Sequence, residues 1–265
     1  MTAPSLILLG SAGADPRVAG VSQELRAMLT TARPEVDVAV AFLDQGYPRC
    51  LQVAGKLAKR GVTEVVVVPL HVADAHPRQP ETAALIAQIR TAHPSLRVIA
   101  AAPVGPEAQL LSVVDQRLRD ALRARRVDQL DGLVLSTEAA TDVRSNALLA
   151  RRARQWSARH RLPCLVATGG SGPSVADAIR SLHAQGRRHI AVGSWFLTAD
   201  EGFLQQAALA RAARAVAVAA PLGASAEVAE IILSRYVVAA MELIDLEVVT
   251  EPEHQPARHL SVVGA

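Results

Sequence analysis

Short apolar runs alternate with longer amphipathic segments along most of the chain. Residues 6–9 and 65–70 are runs of aliphatic side chains, and 65–70 is apolar on both faces, as expected of a central parallel strand. After Arg17, apolar residues recur at helical spacing at Val18, Val21, Leu25 and Leu29. This alternation predicts an α/β fold with parallel sheets built from right-handed βαβ units.

Eight strands follow from this pattern, in two groups of four. They are predicted at 6–9, 36–43, 65–70 and 96–101, and then near 133–136, 164–167, 189–193 and 215–219. The helices of the first group are predicted from near Arg17, between Pro48 and Gly61, at 81–93 and at 106–125, and each later strand is also followed by a helix. The final helix is predicted at roughly 225–243, before a weakly ordered tail.

The two groups of strands are copies of one plan. Pro48 corresponds to Pro173 and Gly61 to Gly186, both at a spacing of 125 residues. The segments 102–105 and 220–223 correspond at a spacing of 118. The chain therefore predicts two tandem βαβ lobes with parallel four-stranded sheets and a cleft between them. We assign residues 1–127 and 128–245 to the lobes and 246–265 to the tail.

Composition narrows the class of protein without naming a function. Half of the residues are hydrophobic, and the formal net charge is +3. Basic clusters at 123–126 and 151–154 fall on predicted helices, where solvated helix faces are the simpler interpretation and an anion-attracting rim is the alternative. We expect no nucleic-acid partner, no membrane span and a cytoplasmic protein, since two cysteines make no disulfide framework and no signal peptide is evident.

Polar residues follow the predicted strands, at the sheet edge where ligands of α/β proteins bind. In the first lobe they occupy 11–15, Asp44 and 71–76, and in the second they occupy Thr137, Glu138, 168–171 and 195–201. The spacing of 118 is shorter than 125 because the first copy is longer between Pro69 and Ala102, and its histidines lie there. One functional site between the lobes is therefore expected. The sequence leaves open whether Glu138, Asp200 and Glu201 reach it.

The best chemical candidate is the loop that carries His71, Asp74 and His76. Two imidazoles and a carboxylate within six residues can hold a divalent metal, although two exposed loop histidines would give the same pattern. Asp44, at the end of a neighbouring strand, either faces the same cleft or begins the turn before Pro48.

Two glycine-rich segments are candidate ligand-binding turns. Gly10-Ser11-Ala12-Gly13 lies at a strand end but fits neither common phosphate-loop motif. Gly169-Gly170-Ser171-Gly172 precedes a helix and either offers amides to an anion or serves as a plain turn.

Together these segments resemble the class II tetrapyrrole chelatases of the CbiX/SirB type. That family opens with an apolar strand and a His-Gly-Ser-Arg-Asp-Pro segment, to which residues 6–10 and Asp15-Pro16-Arg17 are similar. Residues 40–44 before Pro48 resemble its Ala-Phe-Leu-Glu stretch, and 65–70 with His76 resembles its strand and metal-loop histidine. The resemblance covers about the first 245 residues, including both lobes.

The resemblance implies insertion of a divalent metal into sirohydrochlorin or a related tetrapyrrole, in siroheme or cobalamin biosynthesis. Iron, cobalt or nickel would be the substrate, no cofactor is expected to be tightly bound, and a monomer is possible through the duplication. We expect catalytic roles for His76, His71 and Asp44, and metal binding by His71, His76 and Asp74. The implied tetrapyrrole-binding residues are Ser11, Ala12, Gly13, Arg17, Gly169 and Gly170.

The chain departs from the family at its first metal histidine, where it has Ser11. Thr137 stands at the same point of the second copy and does not replace it. His71, which occupies a normally aromatic position, is a candidate substitute ligand. The alternative is a non-catalytic tetrapyrrole- or metal-binding protein on the same scaffold.

Overall fold

In the computed structural model, each copy of the repeat forms a four-stranded parallel sheet, as predicted. The structure describes residues 3–11, 15–43, 46–75, 80–140, 142–169 and 172–250. The first sheet has the order β2-β1-β3-β4 and contains β1 (Ser5–Gly10), β2 (Val38–Phe42), β3 (Glu64–Pro69) and β4 (Arg97–Ala100). The second has the order β6-β5-β7-β8 and contains β5 (Gly132–Thr137), β6 (Cys164–Ala167), β7 (Ile190–Trp195) and β8 (Ala217–Val218).

The helices lie close to their predicted positions, with two corrections at their ends. They are α1 (Pro16–Ala32), α2 (Cys50–Lys59), α3 (Pro80–Ala92), α4 (Leu110–Arg125), α5 (Val143–His160), α6 (Val175–Ala184), α7 (Glu201–Ala212) and α8 (Ala226–Thr250). The prediction that α4 begins at Pro106 was wrong. The amides of Leu110 and Leu111 donate to carbonyls three residues back, as in a 3₁₀ turn, and the α-helix begins only at Leu110. The prediction that α8 ends near Leu243 was also wrong, since no glycine or proline interrupts the sequence before Pro252.

The duplication is visible in backbone conformation as well as in strand order. Gly105 and Gly223, which the repeat pairs, have φ angles of 68° and 67°. Both conformations favour glycine, which lacks the Cβ that opposes positive φ. The Gly105 amide donates to the His71 carbonyl at 2.8 Å, and the Gly223 amide donates to the Leu197 carbonyl at 2.9 Å. Each glycine thus closes its turn onto the loop that follows the third strand of its own copy.

The two lobes exchange a helix. Although α4 follows the first sheet in sequence, it packs on β7 and β8 of the second. In return α8, the last helix of the second copy, packs on β3 and β4 of the first sheet and beside α1. The lobe boundaries at 127/128 and 245/246 remain predictions, and the predicted tail lies outside the described residues from 251 onward.

One hydrophobic core joins both lobes, and smaller cores lie under the outer helices. The shared core contains the inner faces of both sheets with α1, α4, α5 and α8, and includes both tryptophans, Trp156 and Trp195. The outer faces pack against α2 and α3 in the first lobe and α6 in the second. No helix in the described ranges combines the length and the apolar character that a membrane span requires. The exchanged helices place the carboxyl ends of the two sheets beside each other.

Candidate functional site

The carboxyl ends of both sheets enclose a cavity of about 50 Å³. Residues that follow β1 and β3 form its first-lobe side, and residues that follow β5 and β7 form the other. Its lining includes Gly10, Ser11, Val18, Ser22, Leu70, His71, Glu138, Leu197, Thr198 and Asp200. The structure therefore brings polar groups of both copies together at one point, as the strand-end rule predicts.

His71 is the second residue after β3, and its side chain is partly buried in this cavity. Burial lowers the pKa of the imidazole, while the negative charges of Asp74 and Glu81 act in the opposite direction. The ring is therefore neutral near pH 7, which is the form that binds metal ions. Asp74 is itself buried, with 5% of its surface exposed. Asp74 follows His71 by three residues in the same loop.

Glu138 is an acidic residue of the second lobe that lines the cavity. Burial raises the pKa of its carboxyl to about 7, and the negative charges of Asp200 and Asp74 add to this effect. Asp200 is the N-cap of α7, where its carboxylate accepts the Phe203 amide at 2.9 Å. Two acidic residues, Glu138 and Asp200, thus line the cavity with the imidazole of His71, and a cation there would relieve the repulsion between the two carboxylates.

Ser11 and Arg17 lie at the rim of the site. Ser11 is exposed and lines the cavity. Arg17 makes a bidentate pair with Asp15, at 2.9 Å from Nε and 2.7 Å from the terminal nitrogen, while Asp15 also accepts the Arg17 amide at 2.9 Å as the N-cap of α1. Val18, the next residue of α1, lines the cavity, which places Arg17 beside the cleft.

Among the predicted site residues that the structure describes, Arg17, Asp74 and Gly169 are not part of the lining. Gly169 lies in a turn of the second lobe with φ of 63°, where a Cβ would stand 2.3 Å from Nε2 of Gln206 in α7. Its role in ligand binding remains a prediction. Five other predicted residues fall outside the part of the chain that the structure describes: Ala12, Gly13, Asp44, His76 and Gly170.

Two of the second-lobe residues that the sequence left open reach the cavity, namely Glu138 and Asp200. Glu201 is exposed in the first turn of α7 instead. Among the described residues, no group of three or more histidine, cysteine, aspartate or glutamate side chains is arranged to hold a metal ion. That statement does not extend to His76 or Asp44, which lie outside those residues.

Two parallel four-stranded sheets with a cleft at their carboxyl ends define a two-lobed α/β protein. Residues 6–121 match the family model described as CbiX. This match confirms the resemblance drawn from the opening strand and the 65–70 strand. By sequence, no curated protein matches the chain.

Solved chelatase structures share this fold across both lobes. SirB from Bacillus subtilis with Fe³⁺ is 17% identical with a TM-score of 0.70, over 91% of this chain and 98% of that chain. The sirohydrochlorin chelatase SirB from Bacillus subtilis subspecies spizizenii, in complex with cobalt, is 18% identical with a TM-score of 0.67, over 91% and 97%. CbiX, described as the terminal enzyme of siroheme biosynthesis in denitrifying bacteria, is 17% identical with a TM-score of 0.59, over 89% and 99%.

Proposed function

We propose that this protein inserts a divalent metal ion into sirohydrochlorin or a closely related carboxylated tetrapyrrole. The observation that carries the proposal is the cavity at the carboxyl ends of both sheets, where His71 faces acidic residues of the second lobe. The CbiX match over residues 6–121 supports the same chemistry. Fe²⁺ or Co²⁺ would be the metal substrate, and the reaction requires no redox cofactor.

Metal insertion requires groups that hold the cation and groups that accept the two pyrrole N–H protons. His71 is neutral near pH 7 and suits the first task, with Asp74 as a supporting carboxylate. Glu138 suits the second, because a carboxyl with a pKa of about 7 can both accept and release a proton near neutral pH. His76 is the principal base and ligand in this proposal, and Asp44 is a supporting carboxylate.

The size of the cavity indicates how the two substrates would be arranged. Its volume of about 50 Å³ suits a cation with its water but lies far below the roughly 300–1,000 Å³ of small-molecule pockets. The macrocycle would therefore lie across the mouth of the cavity, with its face toward the ion. Arg17 at the rim is a candidate partner for a ring carboxylate, in exchange for Asp15.

The direct test follows the absorbance of sirohydrochlorin mixed with Co²⁺ or Fe²⁺, with wild-type protein, with His76→Ala and without protein. We expect faster spectral conversion with the wild type and loss of that acceleration in His76→Ala. Ring binding without any acceleration over the protein-free reaction would refute the enzymatic proposal. It would favour a tetrapyrrole carrier, with Ser11 marking the lost histidine.

Separate measurements of metal affinity assign the ligands. Calorimetric titration with Co²⁺ should show weaker binding for both His71→Ala and His76→Ala. Unchanged affinity in both variants would exclude this loop as the metal site. A loss confined to His76→Ala would remove His71 from the ligand set.

A further inference from the structure

The second lobe holds the backbone of the loop that carries His71. At one end of this loop, the indole Nε1 of Trp195 donates to the carbonyl oxygen of Val72 at 2.9 Å. At the other end, the Ala75 amide donates to Oγ of Ser145 at 2.9 Å. Trp195, Val72 and Ser145 are completely buried. These two hydrogen bonds therefore link residues 72–75 of the first lobe to the second lobe, one at Val72 and one at Ala75.

The Ser145 hydroxyl is held in place for this contact. It donates to Oδ2 of Asp142 at 2.5 Å, which leaves its lone pairs for the Ala75 amide. Oδ1 of Asp142 accepts the Ser145 amide at 2.8 Å as the N-cap bond of α5. Loss of the hydroxyl would thus remove the contact with the loop while the backbone cap bond remains possible.

We propose that Trp195 and Ser145 are positioning residues that fix the 71–75 loop for metal binding. The inference rests on the proposed function, and it assigns a role to the second lobe, whose corresponding segment 195–201 contains no histidine. Hydrogen bonds behind a metal ligand commonly change metal affinity by about 10- to 100-fold, because they set the orientation of the ligand. Here the bonds act on the loop backbone just after His71, at Val72 and Ala75.

Ser145→Ala is the sharpest probe, and Ser174→Ala is its matched control. Ser174 also lies at a helix start in the second lobe, but its hydroxyl donates to Asp177 of its own helix. We expect Co²⁺ affinity to fall about tenfold in Ser145→Ala and to be unchanged in Ser174→Ala. Faster hydrogen exchange at the Ala75 amide in Ser145→Ala should accompany that loss.

The two tryptophans provide a second, spectroscopic test. The chain has only Trp156 and Trp195, so each Trp→Phe variant keeps one indole. Trp156 donates to Asp115 rather than to the loop, which makes Trp156→Phe the control. Co²⁺ should quench fluorescence in Trp156→Phe, where Trp195 remains, and should leave Trp195→Phe little changed. Trp195→Phe should also bind Co²⁺ about tenfold more weakly.

The possible results separate this inference from the proposed function. Wild-type affinity for Co²⁺ in both Ser145→Ala and Trp195→Phe would overturn the inference, as would a wild-type protein that binds no Co²⁺. The proposed function fails independently if wild-type protein binds Co²⁺ but does not accelerate insertion into sirohydrochlorin. Reduced affinity in folded variants, with wild-type affinity in both controls, would establish the positioning role.

Discussion

The indole ring of Trp156 in α5 lies directly against Gly193 in β7. A Cβ at position 193 would stand 2.4 Å from Cη2 of Trp156 and 2.7 Å from Cγ1 of Val114 in α4. Carbon atoms in packed interiors stand about 3.5–4.0 Å apart. Glycine therefore allows α4 and α5 to approach the second sheet, and α4 is the helix that the first copy contributes.

Gly193→Ala should consequently destabilise the protein by about 1–3 kcal/mol, because the added methyl group overfills a packed core. Gly20→Ala is the control, since no atom lies within 4 Å of its would-be Cβ in α1. Alanine there should raise stability by about 0.5–1 kcal/mol through helix propensity. Urea unfolding measures both changes, and equal stability of the two variants would contradict the packing argument.

Asp115 links α4 of the first copy to α5 of the second. Its buried carboxylate accepts a hydrogen bond from the indole nitrogen of Trp156 at 2.5 Å. The carboxylate also lies 2.7 Å from Nε2 of His160 and 3.1 Å from Nε of Arg159. Asp115→Ala should cost about 2 kcal/mol of unfolding free energy, because the buried indole N–H loses its acceptor. Partial exposure of His160 and Arg159 limits the loss from those pairs.

Asp120→Ala is the matched control for this prediction. Asp120 lies in the same helix, but its side chain is 51% exposed. Its substitution should change stability by less than about 0.5 kcal/mol. Similar losses in both variants would show that Asp115 contributes only through the helix itself. Chemical denaturation followed by circular dichroism makes the comparison.

Glu138 should make stability depend on pH in a defined window. The pKa of its carboxyl rises from an ordinary value of 4.5 to about 7 on folding. Below 4.5 both states are protonated, and between 4.5 and 7 the unfolded state loses its proton first, so stability falls as the pH rises. Above pH 7 the decrease in unfolding free energy is complete and amounts to about 3 kcal/mol.

Glu138→Gln should abolish this component. The variant should gain stability relative to the wild type as pH rises from 5 to 8, in parallel urea titrations. Glu230→Gln, at an exposed position of α8, serves as the control and should follow the wild-type curve. A constant difference between Glu138→Gln and the wild type over this range would show that the carboxyl has no raised pKa.

Ser11→His should increase affinity for Co²⁺ by about tenfold or more. Ser11 lines the cavity beside His71, so an imidazole at this position adds a ligand of the type that divalent transition metals favour. Gln23→His, on an exposed position of α1, adds the same side chain outside the cavity lining. Calorimetric titration should show a gain for the first variant only. No gain, or an equal gain in both, would exclude position 11 as a ligand position.

Much of this fold was predictable because hydrophobic periodicity is a local property of the sequence. The 65–70 run predicted β3, and the correspondence between the segments 102–105 and 220–223 predicted the repeated turn. Helix ends were less predictable, since a terminus depends on individual backbone hydrogen bonds, such as those in the turns before Leu110. The approach of Trp156 to Gly193 had no signal beyond an isolated glycine in a strand.

The candidate site shows the same division. By itself, the sequence determined which polar residues follow the strands, because the hydrophobic pattern locates each strand and the chain order then gives the residues after it. Only the tertiary structure decided that Glu138 and Asp200 share a cavity with His71, while Gly169 lies against Gln206. Which residues share the cavity depends on how the two sheets are placed, and the exchange of α4 and α8 between the sheets is part of that packing. Contacts between residues more than 60 positions apart, such as Ala75 with Ser145, arise from this packing and leave no periodic signal in the chain.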